Sequence, residues 1–568
     1  MAELDESNRD PLTRAAVRQL LGLAALSVAG FAVLLAVLGF ASSRTGAGAA
    51  ALPAVDLATR SITTTIRDEP PNLDSTRAID AYSNMILGHV MEGLMRAGEH
   101  GDIQPGVAER WDIRSTGATF WLREAAVWSD GKPVTAHDFV FAWRTALDPK
   151  TASQYAFILY PVKNGEAINR GDLPPEKLGV TATSDRVLEV EFENPLAYFD
   201  KLAAWLTYLP VREDFYRSRN GRYAADAQDM VYNGPFMLTR WVHGANLRLE
   251  KNPTYWNHDR VKLNAIDIAY ITRDAVARLN LFQDGRVSDV DYLPGEALDQ
   301  VLQQRWPLYR YNDGSIWFLE FNHRPGRDIT RNFHFRRALQ LANDPAELVY
   351  KVLKTPSYTP AESLFPSFIR GENALFRQEH PPPAVKTDIA AARAELEIAK
   401  RELGLNEFPP LVFLSDDTPA AVSQSEYVQE YYRRTLGLEF RIDRQNFRQR
   451  LDKQQNGEFD LTLKGWSADY DDPLSFADLF ASWNLNNNGR YDNSELDAQV
   501  RIAQRSLDTH VRFGAFAEIQ RILIEDAVLV MSYERGVLYV QDRRLKNVVH
   551  RGVGAYIDYS YAYLVDSP

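Results

Sequence analysis

Phe459-Asp460-Leu461-Thr462-Leu463-Lys464-Gly465-Trp466-Ser467-Ala468-Asp469-Tyr470-Asp471-Asp472-Pro473 runs from an alternating apolar segment into an acidic turn. The alternation over 459–463 predicts a strand, which the chain leaves through Gly465 and Trp466. Strand ends that open into loops are where binding groups are commonly held. Three of the four residues 469–472 are carboxylates; they repel one another and would welcome a nearby cation. By pattern alone, Asp471-Asp472-Pro473 is a turn and a helix N-cap for the run that begins near Leu474.

The neighbouring segments decide what sheet this strand joins. Asp388 caps a helix that runs to Leu403 and stops at Gly404. Residues 411–414 form a buried-type strand, 421–436 a helix carrying Tyr427, Tyr431 and Tyr432, 438–442 an alternating strand, and 447–455 a helix. Such alternation predicts a three-layer α/β lobe with parallel strands. Ligands of open α/β sheets lie beyond the carboxyl ends of strands, and 465–469 sits at such an end.

Earlier in the chain, strands are expected over 61–66, 186–192, 263–271, 289–292 and 316–322, with a hairpin of 236–242 and 246–251 around Gly244-Ala245. Helices are expected over 79–94 and over 275–284, the second ending at Gly285. Thr135-Ala136-His137-Asp138 is a capping box opening a further helix. Near the end, a helix over 511–524 and a strand over 528–533 follow.

With 568 residues and 45% apolar content the chain can build several cores. A net charge of −12 argues against nucleic acid as a partner. The absence of cysteine excludes disulfides, cysteine-ligated zinc, thiol nucleophiles and lipid attachment through an N-terminal cysteine. The histidines show no metal spacing, and no G-x-S-x-G, P-loop, H-E-x-x-H or G-x-G-x-x-G is present. Asp469-Tyr470-Asp471-Asp472 hints at a calcium loop, but Leu474 stands where that loop needs glycine. No enzyme and no cofactor is expected, and a carboxylate-pair hydrolase has nothing positive behind it. The uncharged run 20–41, preceded by Arg14 and Arg18, is long enough to span a bilayer and reads as a signal-anchor helix with its N-terminus inside; a cleaved secretory signal is the competing reading. Residues 42–55 form a Gly/Ala/Ser linker.

Trp128-Ser129-Asp130-Gly131-Lys132-Pro133-Val134-Thr135-Ala136-His137-Asp138-Phe139, Asp148-Pro149-Lys150-Thr151-Ala152-Ser153, Asn233-Gly234-Pro235, Asn252-Pro253-Thr254-Tyr255-Trp256 and Gly465-Trp466-Ser467-Ala468-Asp469-Tyr470 together resemble the extracytoplasmic solute-binding proteins of peptide ABC importers, the oligopeptide- and dipeptide-binding family. The resemblance implies an α/β, two-lobed periplasmic-binding-protein fold, a clamshell with an additional domain, here preceded by a transmembrane helix. The implied division is 1–55 tail, anchor and linker; 56–95, 209–314 and 536–568 lobe I; 96–208 extra domain II; 315–535 lobe III. It also implies a monomer on the periplasmic side of the inner membrane that captures peptide as an added strand and passes it to ABC permease subunits.

Residue by residue, the resemblance gives Asp469 the peptide's α-ammonium and gives Gly465 and Ser467, with Trp466 between them, the peptide backbone. Tyr155 and Phe447 match site aromatics, Tyr292 lies in a matching strand, and Asp80 and Tyr82 fall in a site segment whose alignment has a one-residue gap. Gln454 and Leu463 stand where oligopeptide binders carry basic residues near the peptide's carboxyl end; Arg448 and Arg450 are nearby but read as solvated helix residues. That departure keeps open a second reading, a membrane-tethered binding or sensor module for a murein peptide or another non-oligopeptide ligand.

Overall fold

The computed structural model describes residues 52–99, 102–196, 198–468, 470, 472–553 and 555–566. The apolar run 20–41 and Asp469 lie outside the described residues. Among the described residues no helix is long and apolar enough to cross a membrane.

Alternation and turn chemistry built the first sheet as expected. Ser61–Ile66 runs parallel to Ala265–Ile271, and the hairpin Phe236–Val242/Asn246–Lys251 continues the sheet antiparallel, with Val55–Asp56 on the other edge. The helix expected over 79–94 is shorter, Ala81–Val90. Asp80 caps its start, and the Asn233 amide ends it, accepting from the Glu92 N–H (3.0 Å) and donating to the Glu92 carbonyl (2.8 Å). The backbone of Gly234 lies so close to Val90 and Met91 that a Cβ there would fall 2.6 Å from their atoms.

A four-stranded antiparallel sheet, ordered Ala108–Arg114, Gly117–Leu122, Val187–Glu191, Val180–Ser184, packs with the helix Ala136–Leu147 around Phe120, Trp143 and Phe199, an aromatic part of the core continuous with that of the first sheet. The capping box is present: Asp138 accepts from the Thr135 N–H (2.8 Å) and from the Trp128 indole (3.1 Å). Burial pushes the Asp138 carboxyl up to about 6 despite these bonds. Asp130 binds Arg212 at 2.6 Å. Asn252-Pro253-Thr254-Tyr255-Trp256 wraps buried Glu92, whose carboxylate accepts from the Trp256 indole at 2.6 Å. These motifs hold the frame of the fold.

The strands behind the parallel expectation, Leu411–Asp416, Phe440–Gln445 and Leu461–Trp466, do run parallel, but the sheet that holds them extends further. It is mixed, ordered Asp289–Val290, Leu529–Gln541, Leu308–Phe321, Leu461–Trp466, Leu411–Asp416, Phe440–Gln445, and only the last three strands are mutually parallel. The reason is the long ribbon Leu308–Phe321/Leu529–Gln541, which enters the sheet antiparallel. One end packs with Asp289–Val290 on the cluster of Leu279, Val287 and Val301; the other carries Leu319 and Val530 into the core of the α/β lobe. Pairing is interrupted between Asn312 and Ile316, where Gly314 takes φ +73° against the backbone of Gly552.

Candidate functional site

The strand expected over 459–463 is Leu461–Trp466, so Gly465 and Trp466 belong to it and do not form its exit. Gly465 is tolerated there because Trp317, its partner on the neighbouring strand, folds its indole over it: a Cβ on Gly465 would lie 2.6 Å from that ring. Trp317 stacks on Tyr533 (5.7 Å, 14°), and Tyr533 on Tyr358 (4.8 Å, 12°). The Trp317 Nε1 is buried and donates to nothing among the described residues. Pairing with Leu411–Asp416 reaches only Leu461 and Thr462. From Leu463 to Trp466 the sheet continues on one side alone among the described residues, leaving a strand edge inside the protein.

Ser467, exposed, shares a 2.8 Å hydrogen bond with Ser315. Ser315 also accepts from Arg535 (3.0 Å), which binds Asp313 at 2.6 Å, and Asp313 accepts from the Tyr292 hydroxyl (3.1 Å). Tyr292, held at φ +50°, lies 3.6 Å under the guanidinium of Arg67, which is 5.8 Å from the ring of Tyr82. Burial pushes both tyrosine hydroxyls up. The interrupted ribbon thus joins Gly465, Ser467, Tyr292 and Tyr82 into one seam between the two large sheets.

The remaining candidates have other duties or other places. Asp80 is the cap of Ala81–Val90, accepting from the N–H groups of Tyr82 and Ser83 and from the Ser83 hydroxyl (2.6 Å). Burial raises its carboxyl in spite of those bonds. The Trp466 indole donates to the Ser475 carbonyl at 2.7 Å, tying the strand end to the following helix. Tyr155 packs on Trp205 and Phe157, and Phe447 is 38% exposed at the start of Phe447–Asn456. Gln154 and Gln455 meet at 3.1 Å and bring these two segments together.

Asp472 does cap, accepting from the Leu474 N–H (3.0 Å), but it is also the buried partner of Arg512 at 2.6 and 2.8 Å, with Lys201 at 3.4 Å. Burial alone would raise its carboxyl; the two cations hold it below the usual range. Arg448 is exposed as expected, whereas Arg450 is not solvated: its side chain is 12% exposed, 3.4 Å from Asp416, and donates to Gln454 at 2.8 Å. Burial lowers its pKa. Arg67, Trp317, Arg535 and Tyr358 escaped sequence reasoning. Arg67 had one available signal, its place just past the end of Ser61–Ile66.

The mixed sheets and the open strand edge define an α/β solute-binding-protein fold. The chain belongs to the bacterial extracellular solute-binding proteins, family 5, whose model matches residues 102–488. It is 31% identical over 497 residues to the dipeptide-binding protein DppE of Bacillus subtilis (strain 168), covering 87% of this chain and 90% of that one. The structure of Listeria monocytogenes OppA bound to peptide, 31% identical, superposes with a TM-score of 0.81 over 89% of this chain and 99% of that one. The unliganded open form of the murein tripeptide-binding protein MppA, 25% identical and covering 90% and 98%, gives 0.66. Contacts cross the seam: Ala468 bridges Val553, and Arg273 binds Asp68 (2.8 Å) while reaching Asp417 (3.4 Å).

Proposed function

We propose that this protein captures peptides outside the cytoplasm and delivers them to the permease of an ABC importer. The observation that carries the reading is the unpaired edge of Leu463–Trp466, enclosed between two lobes. An extended peptide can add to such an edge through main-chain hydrogen bonds, the mode that tolerates many side chains. Gly465 keeps that edge low, Trp317 offers a free N–H beside it, and Asp469, three residues beyond the strand, supplies the charge for the peptide's α-ammonium. Buried carboxylate–ammonium pairs are strong, directional anchors. Tyr155, Phe447, Tyr82 and Tyr292 wall the space, and closure bends the ribbon at 313–315. Binding energy favours the closed lobes, the state a permease would read.

The run 20–41 anchors the protein to the membrane, and lobe I comprises 56–95, 209–314 and 536–568 around domain II (96–208) and lobe III (315–535). The test is native mass spectrometry of the purified chain with a mixed peptide library. Retained peptides, lost on amine acetylation, support the reading; a chain that retains none, or retains acetylated peptides equally, refutes it. Gln454 and Leu463 in place of basic residues favour a ligand without a terminal carboxylate at that position, the second reading, and a murein peptide in the same experiment discriminates it.

A further inference from the structure

Arg67 is half-buried at the seam, yet among the described residues it makes no hydrogen bond and no ion pair. Asp291, whose charge reaches it, is ion-paired with Arg278 (2.9 Å), and the adjacent Asp68 with Arg273 (2.8 Å). Its faces are used instead, 3.6 Å from the ring of Tyr292 and 5.8 Å from that of Tyr82. Stacking leaves the donors of a guanidinium pointing outward in its plane, which suits two-point binding of a carboxylate. A desolvated cation with unused donors is costly unless something completes it. Tyr292, which bears this stack, holds a left-handed backbone conformation (φ +50°), a strained one for a bulky side chain.

We propose that Arg67 is a carboxylate-binding residue of the ligand site, taking either the terminal carboxylate or an acidic side chain of the bound peptide. The proposal rests on the peptide-capture reading and adds to it a second charged residue besides Asp469. The chain Tyr292–Asp313–Arg535–Ser315–Ser467 joins Arg67's platform to the strand end, so both ends of one extended ligand can be held by charge. It also supplies a cation where Gln454 and Leu463 supply none.

The experiment is calorimetric titration of the full chain, Arg67→Gln and Arg67→Lys with alanine tri-, tetra- and pentapeptides as free acids and as C-terminal amides. A second set, all amidated, compares one Glu with Gln at each position. The proposal expects the unsubstituted chain to prefer one carboxylate-bearing series by about 10-fold or more, Arg67→Gln to erase that preference while still binding the neutral peptides, and Arg67→Lys to keep part of it. Preference for free acids identifies the terminal carboxylate, and preference for Glu the side chain. Equal binding of all peptides by the unsubstituted chain, or a uniform loss across the panel in Arg67→Gln, overturns the role of Arg67 and leaves peptide capture standing. Failure of the unsubstituted chain to bind any of them overturns both.

Discussion

Replacing Asp472 by Asn tests whether the turn after the strand is held by its buried ion pair. Asp472 is 2% exposed, grips Arg512 through both oxygens at 2.6 and 2.8 Å, and caps Leu474 at 3.0 Å. Asparagine keeps the size but turns one acceptor into an N–H facing the guanidinium and leaves Arg512 buried without a counter-charge. Breaking one side of such a pair costs about 3–5 kcal/mol. Unfolding entropy near 60 °C is about 2.1 cal/mol/K per residue, so a cooperative melt of this chain should fall by about 2–4 °C. The assay is calorimetric melting at pH 7, repeated towards acid. Because Asp472 titrates below the usual carboxylate range when folded, its contribution is complete above the unfolded value of 3.8 and is lost as pH falls through the lower folded value. The gap between the two proteins should therefore persist to about pH 4 and close only below it. The double replacement Asp472→Leu/Arg512→Met should recover most of the loss. An Asp472→Asn protein that melts within about 1 °C of the unsubstituted chain at pH 7, or a gap already closed at pH 6, refutes the reasoning.

Asp469→Asn should weaken peptide binding by about 30-fold or more while leaving the melting temperature unchanged, as calorimetry would show; unchanged affinity removes the ammonium assignment. Asp478, raised to about 7 by burial and by the neighbouring charge of Asp472, should cost stability as pH rises from about 4 to 7, so Asp478→Asn should gain melting temperature at pH 8 and none at pH 3. Gly465→Ala must move Trp317, with a stability cost of about 1–3 kcal/mol, and should lower peptide affinity; Gly465→Ala/Trp317→Ala should relieve the clash in urea unfolding curves.

Local features were the most legible. The hairpin Phe236–Val242/Asn246–Lys251 and the helix Ile389–Leu403 with Gly404 at φ +65° lie where alternation and capping put them, because both are decided by near neighbours. In the large sheet the parallel strands were legible from helix–strand alternation, but the antiparallel ribbon beside them was not, since an apolar strand buried on both faces reads alike whether its neighbour runs parallel or antiparallel. Gly465 looked like an exit because its side chain is missing; Trp317, far away in sequence, fills the place. Asp472 looked like a plain cap because its second partner, Arg512, is forty residues on. Arg67 carries no motif at all, and its setting is assembled from Tyr82 and Tyr292 on other elements. What the family motifs disclosed was chiefly scaffolding: Asp138 under Trp128, Asn233 at a helix end, Trp256 on Glu92.

The interrupted ribbon has a mechanical consequence. Two long strands that stay paired on either side of a short unpaired step resist shear and stretch but yield to bending across that step. A bend at that step, where Gly314 sits, is the deformation the ribbon resists least. A single pair of spectroscopic labels flanking the seam would report such a bend when peptide is added.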